Sequence, residues 1–294
     1  MLFSVIIPLY NKENFIADTI QAVLKQTCRD FELIVVDDGS TDASVSKVLE
    51  IADPRVRLLC QDNHGVSGAR NKGINTAQGD FLAFCDADDI WNPCHLEDLA
   101  MAIDENPNEV FFFTDSCLGK GSEAIDQFRH QPHSNHRRTT ILKENFFIAF
   151  RKNIRPNSSS FAIARKFVVE HRIAYPEKLS HGEDICFYWR CTRHVTSIIH
   201  VGSMSVMYRV GSGENVTDQD CSPEKSFNWH LPFSEAASTE EHEFLQTIYN
   251  NTAWGHLRHW RIRKLCSYVN HYPWRHVFSF IAYAVRRSVR RCHK

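Results

Sequence analysis

Through its first hundred residues the chain alternates short, β-branched apolar runs with amphipathic stretches: Phe3 to Ile7, Phe15 to Leu24, Phe31 to Val36, Ala43 to Ile51, Val56 to Cys60, Ala69 to Ala77 and Phe81 to Cys85. This rhythm predicts the order β-α-β-α-β-α-β. Runs such as SVIIP and ELIVV are continuous rather than alternating, which suits parallel strands buried on both faces. The expected fold is therefore α/β, an open, mostly parallel Rossmann-like sheet flanked by helices. Ligands of such sheets sit beyond the carboxyl ends of the strands. Three predicted strands end there in polar, turn-forming sequence: Pro8 to Asn11, Asp37 to Thr41 and Asp86 to Asp89.

From about residue 110 the periodicity weakens. A strand is expected at Val110 to Thr114, a polar loop from Leu118 to Thr140, and mixed segments up to Met207. After Pro232 the pattern turns helical, with segments 240–250, 255–270 and 275–291 forming an expected C-terminal helical appendage. The organisation read from these shifts is 1–110, a ligand-binding half; 111–232, an elaboration that shapes a second substrate; and 233–294, a basic extension.

At 294 residues and 43% apolar content the chain is long enough to bury a sizeable core. Its net charge of -1 hides an asymmetry: acidic groups dominate the first hundred residues, and no acidic residue follows Glu243. The acidic N-terminal half argues against a nucleic-acid partner. The opening MLFSVIIPLYNKE lacks the basic and small-residue features of a secretory leader, so the 10 cysteines are read as reduced thiols of a cytoplasmic protein. No apolar run reaches the length needed to span a bilayer.

Three acidic constellations carry candidate chemistry. In VVDDGSTD, Val35 to Asp42, a buried strand delivers two carboxylates into a turn, where one can accept hydrogen bonds from a uracil ring or a ribose. The structural alternative is that Asp37 caps the turn and Ser40 or Thr41 caps the next helix. In FLAFCDADDIWNP, three carboxylates within four residues repel one another unless a cation neutralises them, and Mg2+ or Mn2+ with phosphate oxygens suits such a strand end. A solvated turn before a helix that Pro93 would start is the alternative. In His181-Gly182-Glu183-Asp184 the acids either stabilise a helix N-terminus or supply a general base.

Together and in this order, the three segments resemble the inverting glycosyltransferases of family 2, of the GT-A type. SVIIPLYNKENFIADTIQAVLKQTCRDFELIVVDDGSTD and NHGVSGARNKGINTAQGDFLAFCDADD carry the likeness over residues 3–100. The resemblance implies a GT-A type fold and a nucleotide-sugar donor, a UDP-sugar by the same likeness. Pro8 and Tyr10 would line the base and Asp38 would contact it. Asp86 would lie near the ribose, Asp88 would hold Mn2+ or Mg2+ with Asp86, and Asp89 would assist. Arg70 and Asn71 would begin the helix bordering the nucleotide, in contact with it or as capping and packing residues. Glu183-Asp184 falls where the family places its catalytic base, with Asp184 the choice and Glu183 the alternate. Many relatives carry Tyr, Arg and then His shortly afterwards, whereas Tyr208-Arg209-Val210-Gly211-Ser212-Gly213 has no His. His230 or Arg209 is left to serve there, and the third protein ligand of the metal stays open.

The histidines at 130, 133 and 136 are spaced like ligands, but Pro132 interrupts them and a zinc site is set aside. The segment 274–294 pairs an aromatic stretch with Arg286, Arg287, Arg290 and Arg291. It reads either as an interfacial helix on the cytoplasmic face of an inner membrane or as a helix packed on the domain. The expected activity is transfer of a sugar to a hydroxyl of a bacterial cell-surface glycan or lipid-linked saccharide. The rival is a nucleotide-sugar-binding partner that has lost catalysis.

Overall fold

The continuous apolar runs of the first hundred residues become strands buried on both faces. The computed structural model describes residues 3–130, 138–143, 154, 156–179, 181–210, 236, 239–258, 276, 280–281 and 283–284. β1 (Phe3–Leu9), β2 (Phe31–Asp37), β3 (Val56–Cys60) and β4 (Phe81–Phe84) pair in parallel in the order β3-β2-β1-β4. Every residue of β1 is buried, and all of β2 except Glu32. Each such aliphatic side chain contributes about 1.5–3 kcal/mol of burial. β3, at the sheet edge, is only half-buried. Leu9 lies opposite Asp37, and Ile6 opposite Phe84, so the turns after β1, β2 and β4 emerge at one edge.

Between these strands run α1 (Ile16–Leu24), α2 (Ser44–Leu49) and α3 (Gly65–Thr76). α1 buries Ile16, Thr19, Ile20 and Val23, the spacing of one helical face. α3 starts at Gly65 rather than near Ala69, because the turn before it is fixed by His64 N donating to Asp38 Oδ1 (2.9 Å). It has a weak apolar face and packs instead by closeness: a Cβ on Gly73 would sit 2.4 Å from Ile6 Cγ2.

β5 (Ile90–Trp91), α4 (His95–Glu105), β6 (Phe111–Gly119), α5 (Ser122–Arg129), β7 (Thr139–Lys143), β8 (Phe161–Ala164), α6 (Arg165–Glu170), α7 (Glu183–Thr192) and β9 (Ser197–Arg209) follow. The sheet continues β4-β8-β6-β9-β5, with β7 also on β9. Strands from the 1–110 and 111–232 halves thus share one sheet. Beyond β4 the expected parallel order gives way to a mixed one: β8 is antiparallel to both β4 and β6, and β9 is parallel to β6 but antiparallel to β5 and β7. A run buried on both faces has the same composition in either direction, so the sequence pattern does not encode this reversal. Stacking holds it, with Phe161 of β8 against Phe84 (5.1 Å) and Phe111 (5.4 Å).

The loop expected from Leu118 to Thr140 contains α5, whose only buried residues are Ile125 and Phe128. Two large apolar positions in a charged octapeptide are too few to announce a helix. β6 runs on to Gly119, past the expected end at Thr114, because β9 pairs with it to Arg209.

The described chain divides into two compact units, 1–146 with 155–220, and 147–154 with 221–294. In the second unit, α8 (Thr239–Arg258) buries Phe244, Leu245, Ile248, Tyr249 and Ala253. His276 Nδ1 shares a 2.6 Å hydrogen bond with Gln246 Oε1, and Tyr283 Oη donates to Asn251 Oδ1 (2.6 Å). This continuous helix covers the expected 240–250 segment and the start of 255–270. His133, His136, His230, Gly211 to Gly213 and most of 274–294 lie outside the described residues.

Candidate active site

The turns after β1 and β2 are fastened to each other by short polar side chains. Asn11 N donates to Ser40 Oγ (3.0 Å), Lys12 N to Ser44 Oγ (2.8 Å) and Glu13 N to Asp42 Oδ2 (3.0 Å). In return Thr41 N donates to Asn11 Oδ1 (2.8 Å) and Ala43 N to Glu13 Oε2 (2.8 Å). Asp37 accepts the Ser40 N–H, the capping role its position allows. The start of α2 is tied by Asp42, which accepts from Ser44 N (2.9 Å), rather than by Ser40 or Thr41. Pro8 is buried in β1, while Tyr10 stands 47% exposed beside the paired turns, an aromatic face open to a planar ligand. Asp38 is buried, with Oδ1 accepting from Gln61 Nε2 (2.8 Å) and from His64 N.

Beyond β4, the three carboxylates of Asp86, Asp88 and Asp89 take different partners. Asp86 Oδ1 accepts from Arg70 NH2 (2.7 Å), and Asp88 Oδ2 from Lys12 Nζ (2.8 Å). Asp89 turns inward, 1% exposed, and binds Ser159 Oγ and the Arg209 N–H. Burial and the charges of Asp86 and Asp88 push its carboxyl well above the usual range. So held, Asp89 ties the turn to Ser159 and to the end of β9. Thr19 Oγ1 bonds the carbonyls of Ala87 and Asp89, so α1 fixes the turn from below.

Arg70 is the centre of the site. It lies inside α3, 2% exposed, and not at the helix start where it was expected. NH2 pairs with Asp86 and NH1 with Glu183 Oε1 (2.9 Å), residues far from it along the chain, while its guanidinium lies over the Tyr175 ring (5.0 Å). Its neighbour Asn71 holds the approach to α7, donating to Tyr175 O (3.0 Å) and accepting from Tyr175 N (2.8 Å). α7 opens at Gly182, whose φ of 72° needs a residue without a side chain, and so aims Glu183 and Asp184 at Arg70. Glu183 is engaged by the guanidinium. Asp184 accepts only a bond from its own helix, Ile185 N to Oδ1 (2.8 Å), among the bonds described. Burial and the adjacent Glu183 push its carboxyl up to about 6.

Lys12 and Arg209 flank the Asp88 position through one ring: Lys12 Nζ lies 5.8 Å and Arg209 Cζ 4.9 Å from the Phe15 centroid. Lys12 and Ser159 were not anticipated from the sequence, since their partners lie 76 and 73 residues away in the chain. Asp86 and Asp88 present oxygen donors at a strand end, a set that suits a hard divalent cation completed by phosphate oxygens. No group of three His, Cys, Asp or Glu residues converges on such a position among the described residues. Clefts of about 410 and 430 Å3 lie along α1 and α5 and share Asp18, Asp126 and Arg129. Their shared charges are paired with one another, Arg129 with Asp18 and Asp126.

Residues 4–173 match the sequence profile described as Glycosyl transferase family 2. EpsH of Bacillus subtilis is 31% identical over 217 residues, which cover 70% of this chain and 60% of that one. WfgD of Escherichia coli, named as a UDP-Glc:alpha-D-GlcNAc-diphosphoundecaprenol beta-1,3-glucosyltransferase, is 47% identical over 97 residues, 33% of this chain and 38% of its own. The chain thus spans 60% or less of these relatives. Among solved structures, Staphylococcus aureus TarS 1–349 in complex with UDP-GlcNAc superposes with a TM-score of 0.70 at 23% identity, covering 94% of this chain and 83% of TarS.

Proposed function

The chain belongs to glycosyl transferase family 2, and from that premise we propose that it transfers one sugar from a nucleotide-sugar to an acceptor hydroxyl of a cell-surface glycan or lipid-linked saccharide. The observation that carries this reading is the Arg70 bridge, which joins a strand-end carboxylate, Asp86, to the acid pair opening α7. One side of the bridge suits a donor and the other an acceptor.

On the donor side, Tyr10 offers a face to the base, with Pro8 and Asp38 at its edge. TarS binds UDP-GlcNAc and UDP in its solved complexes, and WfgD is named for a UDP-sugar, which favours uridine here. Asp88 and Asp86 would hold Mn2+ or Mg2+, which when bound supplies charge stabilisation to the departing diphosphate. Lys12 and Arg209 add fixed positive charge on that side.

On the acceptor side, Glu183 is committed to Arg70, so Asp184 is the base. Its carboxylate takes the proton of the acceptor hydroxyl as that oxygen bonds to the anomeric carbon and the bond to the nucleoside diphosphate breaks. Attack opposite the leaving group inverts the anomeric centre. Asp86, Asp88 and Asp184 are all present, which favours catalysis over a donor-binding scaffold. No helix among the described residues is long and apolar enough to cross a membrane; we place the reaction at the cytoplasmic face, where a lipid-linked acceptor would be presented.

Calorimetric titration with UDP, GDP and their sugar conjugates, each with Mn2+ and with chelator, tests this reading. Metal-dependent binding of a uridine nucleotide is the expected result, and no binding of any of them would sink it.

A further inference from the structure

Around the Asp86–Arg70–Glu183 bridge, three buried polar atoms have no hydrogen-bond partner among the described residues: Arg70 Nε, Tyr175 Oη and Tyr188 Oη. The tyrosines are 2% and 1% exposed. Their rings are fully served by aromatic packing, Tyr175 stacked on Phe187 (4.1 Å) and edge-on to Phe84 (5.5 Å), Tyr188 edge-on to Phe161 (5.1 Å) and Phe111 (6.1 Å). Phenylalanine would satisfy that packing without burying a hydroxyl, which is costly when left unbonded. The hydroxyls therefore mark a polar site within the aromatic cluster.

That site borders Asp184. Tyr188 follows Asp184 by four residues on α7, so the two share a helix face, and helical side chains lean toward the N-terminus. Tyr188 thus leans toward the Asp184 carboxylate. The charges of Asp184, Arg70 and Asp86 act on both tyrosines, and Tyr175 acts on Tyr188. No direct hydrogen bond closes the gap, since neither hydroxyl has a partner among the described residues.

We propose that Arg70 Nε, Tyr175 Oη and Tyr188 Oη hold ordered water that hydrogen-bonds to the Asp184 carboxylate, making Tyr188 a positioning residue for that group. A buried water takes two to four polar partners, and these three atoms with the carboxylate supply them. The water accepts from Arg70 Nε–H, and the tyrosine hydroxyls complete its bonds. It donates to Asp184, orienting the carboxylate oxygen that faces an incoming hydroxyl and favouring its charged form. The functional weight of this site rests on Asp184 being the base; the water site itself does not. Glu183 beside it, Arg70 from α3, Asp86 after β4 and Tyr175 before α7 also act on Asp184, and replacing Tyr188 removes none of them.

The test is an NMR titration of the 13C-labelled Asp184 carboxyl in the full chain, comparing the parent with Tyr188→Phe and Tyr175→Phe. Loss of the Tyr188 hydroxyl is expected to raise the Asp184 midpoint by roughly half a unit to one unit, with a smaller rise for Tyr175→Phe. Unchanged midpoints in both variants overturn the proposal. Should Tyr188→Phe fail to fold, a high-resolution crystal structure of the parent decides: water bonded to Arg70 Nε and the hydroxyls supports the site, and a dry cavity overturns it. Retention of transfer by Asp184→Asn would remove the base assignment while leaving the titration result intact.

Discussion

The two sides of the Arg70 bridge are built by opposite means. On the proposed donor side, the turns after β1 and β2 are laced by at least five bonds between short polar side chains and backbone N–H groups, Asn11, Glu13, Ser40, Asp42 and Ser44 sharing the work. On the proposed acceptor side, the opening of α7 is held by one buried guanidinium and by the Asn71–Tyr175 pair. Many weak, partly exposed bonds make a site that tolerates the loss of any one. A single buried cation between two carboxylates makes a site that does not, because removing it leaves both charges uncompensated.

Breaking this contrast hardest means replacing Arg70. Arg70→Met should destabilise the first unit by about 3–5 kcal/mol and abolish transfer, read by urea denaturation and by product formation. Arg70→Lys should recover only part of this, since an ammonium cannot span two carboxylates as the planar fork does. A variant with near-parental stability would mean that the bridge holds nothing.

Asp184→Asn separates chemistry from architecture. Transfer should fall by roughly 10²–10⁴-fold with donor affinity retained. Because the folded Asp184 carboxyl titrates near 6, above its ordinary 3.8, its charged form is disfavoured by the fold. Its contribution to stability falls as pH rises from about 4 to about 6, and above that the full penalty is present. The Asn variant should therefore match the parent below about pH 4 and exceed it by about 1–3 kcal/mol at pH 8. In the parent, transfer should rise with pH through about 6 as the carboxylate forms. A pH-independent rate in that range would move the base elsewhere.

The smallest effect belongs to the laced turns. Ser44→Ala removes the acceptor of the Lys12 N–H and the hydroxyl bond to Asp42, and should cost about 1–2 kcal/mol while leaving the bonds of Asn11, Glu13 and Ser40 in place. UDP affinity measured by calorimetry should then change little. A collapse of binding would show that the donor side is as singly supported as the acceptor side.

The same contrast explains what could be read before the fold was seen. VVDDGSTD was legible because an aspartate's bond to its own turn lies within a few residues, and local chemistry is written in local sequence. The carboxylates of Asp86 and Asp88, and the acid pair at the start of α7, were legible as clusters. Arg70 was misplaced at a helix start because nothing in ARN announces two partners on remote segments. α5 was hidden in a polar stretch for want of apolar positions, and Lys12 looked like an ordinary surface charge.

By itself the sequence determined the order of strands and helices from β1 to β4, the edge at which the carboxylates emerge, and the identity of the acids available there. Those follow from periodicity and turn chemistry, interactions that act over a few residues. Only the tertiary structure decided that β8 runs against β4, that Asp89 turns inward, and that Glu183 is taken by Arg70 while Asp184 bonds within its own helix. These outcomes depend on burying charge beside its counter-charge across segments distant in the chain, and a buried ion finds its partner only when the whole sheet has closed around it.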